Sequence, residues 1–185
     1  MQTYNFNPFP VLSSNRLRLR SFTTGDLPKI YALRSSPEVT KYLDRPLMIE
    51  REEADSYLQK MQRGVAEGQW IIWGIHFQKE GFAGTICLLN FSRVDQRAEI
   101  GYELLPSFQG NGIMTEAIPL VLTYGFRTLQ LDWIDAEVSR ANIASIRLLR
   151  KFQFQRSTAH EQPADTDLEI YRLANENYYS DFPST

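Results

Sequence analysis

The chain is poor in the residues from which metal and disulfide sites are built. It carries one cysteine, Cys87, and two histidines, His76 and His160, in 185 residues. An intramolecular disulfide is impossible, and a Cys/His zinc cluster is excluded in practice, so no metal is expected. It also lacks a charge excess. Twenty Lys and Arg stand against 22 Asp and Glu, leaving a net charge of −2 and a pI of about 5.8. The basic footprint of a nucleic-acid binder is therefore missing. Long apolar runs are missing too: those around 70–75 and 82–89 fall far short of a membrane span. The opening MQTYNFNPFPV has neither the basic start nor the apolar h-region of a secretory signal. The expected compartment is the cytoplasm, with neither membrane nor nucleic acid as a partner.

What is present is ordinary for a soluble domain: 43% hydrophobic and 23% charged residues. A chain of this length buries roughly 70% of its unfolded surface without staples. No repeat, linker or low-complexity tract divides it. One domain over 1–185 is expected, with flexible arms at about 1–12 and 176–185. Arg16–Arg20 alternates as a strand with one solvated face. Helical spacing follows at Leu27, Ile30, Tyr31 and Arg34, ending at Pro37. A second helix is expected over about Glu50–Glu67, with Ala54, Tyr57, Leu58, Met61 and Val65 on one face. Trp70–Gln78, Phe82–Phe91 and Gln96–Leu105 read as an antiparallel meander. A helix over about Ile113–Leu129 contains Pro119, a strained position unless the helix bends there. Trp133–Ser139 reads as a strand, Asn142–Lys151 as a helix, and Phe152–Thr158 and Leu168–Ala174 as closing strands. This order predicts a mixed sheet with helices on both faces, in the α/β or α+β class.

The most informative segment is Pro106–Glu116. A strand ends, Gly110 and Gly112 follow, and a helix begins. The first turn of a helix has backbone N–H groups without internal partners, and the positive end of its dipole favours an anion. Glycine lets a phosphate approach without a Cβ in the way. The loop reads equally well as one whose glycines simply accept positive φ. It is not a Walker A loop, since no Gly-Lys-Ser/Thr follows. Thr115 stands where a dinucleotide fingerprint needs its third glycine.

FQGNGIMTEA resembles the acyl-CoA diphosphate loop of the GNAT superfamily of N-acetyltransferases, with the form Gln/Arg-x-x-Gly-x-Gly/Ala. Gln109, Gly112 and Met114 occupy its three defined places. RAEIGYELLP resembles the strand that grips the pantetheine arm. DAEVSRANIASIRLLRKFQF resembles the following strand and helix, with an Asn-x-x-Ser element at Asn142 and Ser145. The opening from Ser13 to Val39 fits as well and points to the branch that acetylates the N-terminal alanine or serine of ribosomal proteins. The likeness covers roughly Asn15 to Ala174. It implies a single-domain, mostly antiparallel sheet with a V-shaped split between the central parallel strands. The implied reaction is direct transfer of an acetyl group from acetyl-CoA, as co-substrate, to a primary amine. The acceptor would be a protein N-terminal α-amine or a small amine.

The resemblance also assigns residues. Gln109, Gly110, Asn111, Gly112, Ile113, Met114 and Thr115 would hold the diphosphate. A bulge near Glu103, Leu104 and Leu105 would leave amides for the thioester and pantetheine, joined by Asn142 and Ser145. Three carboxylates are candidates for the base: Glu99 and Glu103, on one strand face by period two, and Glu137 on the next strand. Each also reads as a surface or paired carboxylate. Leu149 stands where many family members carry a tyrosine that protonates the leaving thiolate. Ser145 is then the remaining donor, or a capping-turn serine. Asn142 reads as an N-cap, alone or together with a pantetheine contact. Gln153 replaces a common helix-ending glycine, which implies a left-handed non-glycine residue. Tyr42, Arg45, Trp70, Trp73 and Phe91 are acceptor-side candidates, although both tryptophans suit the core. Cys87 reads as a buried small hydrophobe, His76 as a satisfied strand residue and His160 as a solvated turn residue. Two rival readings remain: an acyl-CoA-binding module with little or no catalysis, and a nucleotide-binding domain using the same loop. The oligomeric state is not readable from the sequence.

Overall fold

Alternating apolar residues and short turns dictate a sheet, and the computed structural model shows one. It describes residues 4–78, 80–157 and 167–181. Among them the strands are β1 (Leu12–Ser13), β2 (Leu17–Arg20), β3 (Ile71–Phe77), β4 (Gly81–Ser92), β5 (Arg97–Leu104), β6 (Trp133–Ser139), β7 (Gln155–Arg156) and β8 (Leu168–Ala174). They form a single sheet in the order β1-β2-β3-β4-β5-β6-β8-β7. Every neighbouring pair is antiparallel except β5 and β6, which run parallel. The helices are α1 (Leu27–Arg34), α2 (Pro37–Thr40), α3 (Glu53–Ala66), α4 (Ile113–Thr123), α5 (Ile143–Lys151) and α6 (Asn175–Asp181).

Helices cover both faces. α1 lies on the face of the odd-numbered β5 residues, where Arg34 meets Glu103. α4 lies on the other. A Cβ at Gly125, just after α4, would sit 2.8 Å from Ile134 Cδ1 of β6 and 3.5 Å from Leu88 Cδ1 of β4. The helix foreseen over 113–129 gives way at Thr123 to a π-helical turn, Tyr124–Thr128. Leu129 N–H reaches back to the Tyr124 carbonyl, and the wider turn lays Gly125 against the sheet.

Other boundaries shifted for local reasons. Pro37 opens α2 as well as ending the previous stretch, with Ser36 Oγ accepting from Val39 N–H. The strand foreseen from Phe152 shrinks to Gln155–Arg156, because Phe152 and Phe154 are buried in the turn that ends α5. Residues 4–12, part of the expected arm, pack against the sheet: Phe6 is buried, and the Trp73 indole N–H donates to the Pro10 carbonyl at 2.8 Å. At the other end α6 runs to Asp181, with Tyr178 buried and within 2.8 Å of Thr123 Oγ1. His160 and most of its turn lie outside the described residues.

Asp135 ties three strands together. It is buried on β6, and it accepts Arg172 Nε at 2.6 Å and Nη2 at 2.7 Å from β8. Arg97 Nη1 from β5 completes the cluster at 3.1 Å. Removing one partner of such a buried group strands the remaining charge. Arg172→Met is expected to cost on the order of 3 kcal/mol in urea unfolding.

Gln153 adopts φ 64, as its replacement of a glycine implies. Its turn is closed by Phe154 N–H to the Leu149 carbonyl at 3.1 Å. The left-handed region costs a non-glycine residue about 1–2 kcal/mol, of which glycine's greater unfolded-state entropy returns about 0.5–1. Gln153→Gly is therefore expected to stabilise by up to about 1 kcal/mol, a rise of about 2–4 °C in Tm at this chain length.

Candidate functional site

The site begins where two parallel strands part. β5 and β6 pair at Arg97↔Trp133, Ala98↔Ile134 and Glu99↔Asp135, and no further. β5 continues to Leu104 and β6 to Ser139, so a split opens beyond Glu99. The expected bulge at Glu103–Leu105 is not its cause. β5 keeps register with β4 without interruption from Glu99 to Leu104, and the register shift lies at Leu89/Ser92 instead. There Asn90 takes φ 51. Leu105 N–H is spent on the Ala83 carbonyl at 2.9 Å, which removes the amide role expected for Leu105. By alternation the Glu103 backbone also faces β4, while the amides of Tyr102 and Leu104 face the split. Gly84 packs so closely on β5 that a Cβ there would collide with the Glu103 carbonyl.

The loop follows directly. Gln109 Nε2 donates to the Leu104 carbonyl at 3.2 Å, fastening the loop to the edge of the split. Gly110 and Gly112 take φ 76 and 73, so both glycines are needed for backbone geometry. Gly110 has nothing within 4 Å of where a Cβ would stand, and Gly112 has only Arg16 Nη2, at 3.7 Å. That open space in front of a helix start is what a diphosphate requires. Asn111 Nδ2 turns back to the Gln109 carbonyl at 3.3 Å. Ile113 and Met114 are buried, so these positions can offer a ligand their backbone amides rather than their side chains. Thr115 is half-buried.

Arg16 was not foreseen at this site. Its Nε lies 2.7 Å from Glu116 Oε2, and its Nη1 lies 3.5 Å from the Asn111 carbonyl. Ser14 also donates to Glu116. Burial works against the Glu116 anion, but these hydrogen bonds outweigh it and hold the carboxyl below its ordinary range. With Ser14, Asn15 and Glu116, Arg16 lines an open depression of about 490 Å³ beside the loop. The only sequence signal was an arginine at the start of an alternating strand, which does not reveal a contact 100 residues away.

The three candidate carboxylates share the face opposite α4, and each has a different environment. Glu103 is held by Arg45 at 2.8 Å and Arg34 at 3.5 Å, with Arg34 stacked on Tyr57 at 4.3 Å. Those contacts make it a structural anion. Glu137 is exposed. Glu99 stands at the fork and accepts Asn90 Nδ2 at 2.9 Å. Burial pushes its carboxyl up, Asn90 partly offsets this, and Glu137 and Asp135 add to the rise. Of the three it is the best placed to take a proton.

On the α4 face Ser145 Oγ lies 2.8 Å from the Tyr102 hydroxyl. Asn142 caps α5 by accepting Ser145 N–H at 3.1 Å. Leu149 is buried and carries no polar atom for the chemistry. Tyr102 was overlooked because a tyrosine within an apolar strand reads as core.

The remaining acceptor-side candidates scatter. Arg45 joins the Glu103 cluster, with its Nε buried and without a partner among the described residues. Trp73 is core, packed on Phe9 and Tyr124. Trp70 donates to the Met61 carbonyl at 3.2 Å, and Phe91 packs on Tyr4 and Phe6. Tyr42 stacks with Lys41. Cys87 is half-buried, its thiol pushed up to about 12 by desolvation. His76 departs from expectation: its Nε2 is buried, 3.6 Å from Asp26 and without a hydrogen bond among the described residues. Burial, then Arg20, hold the imidazole low. Among the described residues no His, Cys, Asp and Glu side chains cluster to hold a metal, and no helix is long and apolar enough to cross a membrane.

The family model described as acetyltransferase (GNAT) domain matches residues 16–155. The uncharacterized N-acetyltransferase YoaA of Bacillus subtilis is 40% identical over 149 residues, covering 80% of this chain and 84% of that protein. The spermidine N(1)-acetyltransferase of Escherichia coli is 28% identical over 144 residues, 77% of this chain and 74% of the other. Among solved structures, the ribosomal L7/L12 alpha-N-protein acetyltransferase RimL in complex with coenzyme A aligns with a TM-score of 0.76. It covers 89% of this chain and 98% of its own at 22% identity, a likeness of fold.

The raised carboxyl of Glu99 makes stability depend on pH. Near pH 4, below the ordinary glutamate value of about 4.3, the folded and unfolded states are both largely protonated there. As pH rises through the higher folded-state value, the native state must ionise a partly desolvated group and loses stability. Glu99→Gln, which keeps an acceptor for Asn90, is expected to match the wild-type Tm near pH 4 and exceed it at pH 8.

Proposed function

Because the chain belongs to the GNAT acetyltransferase family, we propose that acetyl-CoA is its acyl donor and a protein N-terminal α-amine its acceptor. The observation that carries the donor assignment is the open strand edge. Two amides, Tyr102 and Leu104, face a split that starts at Glu99↔Asp135, and Gln109 fastens the glycine loop to the same edge. Preorganised donors of this kind are worth about 3 kcal/mol each to a developing oxyanion. The loop has the open space and free helix start that suit a diphosphate.

The carboxylates support an α-amine. A lysine-type amine is almost wholly charged at neutral pH and needs a strong base, while an α-amine is roughly a tenth neutral. Glu103 is held by two arginines and Glu137 is exposed, which leaves Glu99, itself bonded to Asn90. That set suits an acceptor that needs little help. Likeness to a spermidine acetyltransferase favours the second reading, a small-amine acceptor.

Acetyl-CoA at 100 times its Kd is expected to stabilise the protein by about 2.7 kcal/mol. Gly112→Asp, which sets a carboxylate in the loop at φ 73, is expected to abolish the Tm rise. A full rise in that variant removes the loop assignment. CoA release is expected with a peptide bearing a free N-terminus and not with its blocked form. Faster release with spermidine moves the acceptor to small amines.

A further inference from the structure

Leu149 leaves the thiolate without its usual donor, and the structure holds another group in reach of the same space. Tyr102 projects from β5 onto the α4 face, its phenol oxygen 2.8 Å from Ser145 Oγ. Ser145 is fixed in the first turn of α5 through Asn142. The contact therefore joins β5 to the helix that follows β6, beyond their last paired residues, Glu99 and Asp135. It bridges the split instead of lining one wall. Two hydroxyls share one hydrogen bond, so one hydroxyl hydrogen is used between them and the other is left for a third atom. Burial pushes the Tyr102 phenol up to about 12, only partly offset by Ser145, so the phenol keeps its proton at neutral pH.

We propose that Tyr102 is a positioning residue for acyl transfer: its hydroxyl donates to Ser145 Oγ and so turns the Ser145 O–H into the split, toward the departing sulfur. This rests on acetyl-CoA being the donor. The amine lone pair forms the C–N bond, and the C–S bond breaks with its electron pair passing to sulfur. The proton lost by nitrogen goes to water or to a carboxylate on the opposite face. The sulfur leaves as a thiolate bonded to Ser145 and takes a proton from solvent. Neither hydroxyl changes its protonation state, so serine's weak acidity is no obstacle. Hydrogen bonds to an ionised partner are about twice as strong as neutral ones, so the pair favours the thiolate over the thioester.

The test titrates the thiol of CoA bound to the full chain, followed by ultraviolet absorbance of the thiolate, and needs no acceptor. Bound CoA is expected to ionise about one pH unit below free CoA, a tenfold change in the thiol–thiolate equilibrium. Tyr102→Phe and Ser145→Ala are each expected to lose most of that shift in the CoA-saturated protein. The double variant is expected to lose no more than either alone, as for two groups acting in series. A tyrosine that merely packs the strand would leave the shift in place. If Tyr102→Phe is too unstable to titrate, Ser145→Ala alone must still lose the shift. Wild-type CoA titrating like free CoA, or a shift that survives in either variant, would falsify the proposal and leave the acetyl-CoA reading standing. Failure of the wild type to bind CoA overturns that reading and this inference with it.

Discussion

The fork between β5 and β6 depends on a buried charge. Parallel pairing lasts three residues, and its final member, Asp135, is the carboxylate gripped by Arg97 and Arg172. The cluster joins β5, β6 and β8 at the point where the first two part. A carboxylate buried this deeply has no tolerable state without its cations. The strands are thus pinned on one side of the fork and free to diverge on the other. Glu99 stands at the fork itself, and Tyr102, Glu103, Leu104 and Glu137 lie on the divergent side.

The sheet then sorts that chemistry by face. Side chains alternate along β5, so Glu99 and Glu103 fall on one side and Tyr102 on the other. β6 repeats the division, with Glu137 opposite the α4 face. The carboxylates lie on one side, and the Tyr102 and Ser145 hydroxyls lie on the other. The backbone amides of Tyr102 and Leu104 sit between them, in the plane of the sheet. The proposed acyl transfer asks for these functions at three separate points around one carbon, and two strands of period two place carboxylates, amides and hydroxyls at separate points.

Much of this was legible in the sequence. β6 and β8 fall on their expected bounds because their alternation is clean and their turns are polar. The loop was legible because both glycines occupy positions that only positive φ permits, and Gln153 because a missing glycine leaves a backbone demand behind. The failures share one cause, contacts between residues distant in the chain. No local pattern shows that Leu105 N–H is committed to Ala83, that Arg34 and Arg45 converge on Glu103, or that Tyr102 meets Ser145. The split was expected from a bulge and arises instead from a short parallel ladder on a straight strand, a difference that resides in register. β1 and α2, of two and four residues, are too short to have a period of their own.

Arg16 cancels the negative charge of Glu116 one turn into α4, using a side chain that comes from beside the edge strand. With that carboxylate neutralised, an anion at the helix start meets fixed amide dipoles and little mobile charge. Salt screens separated surface charges much more than short bonds to a rigid backbone. An anion placed at this turn would consequently be held by geometry, with only a weak dependence on the ionic strength around it.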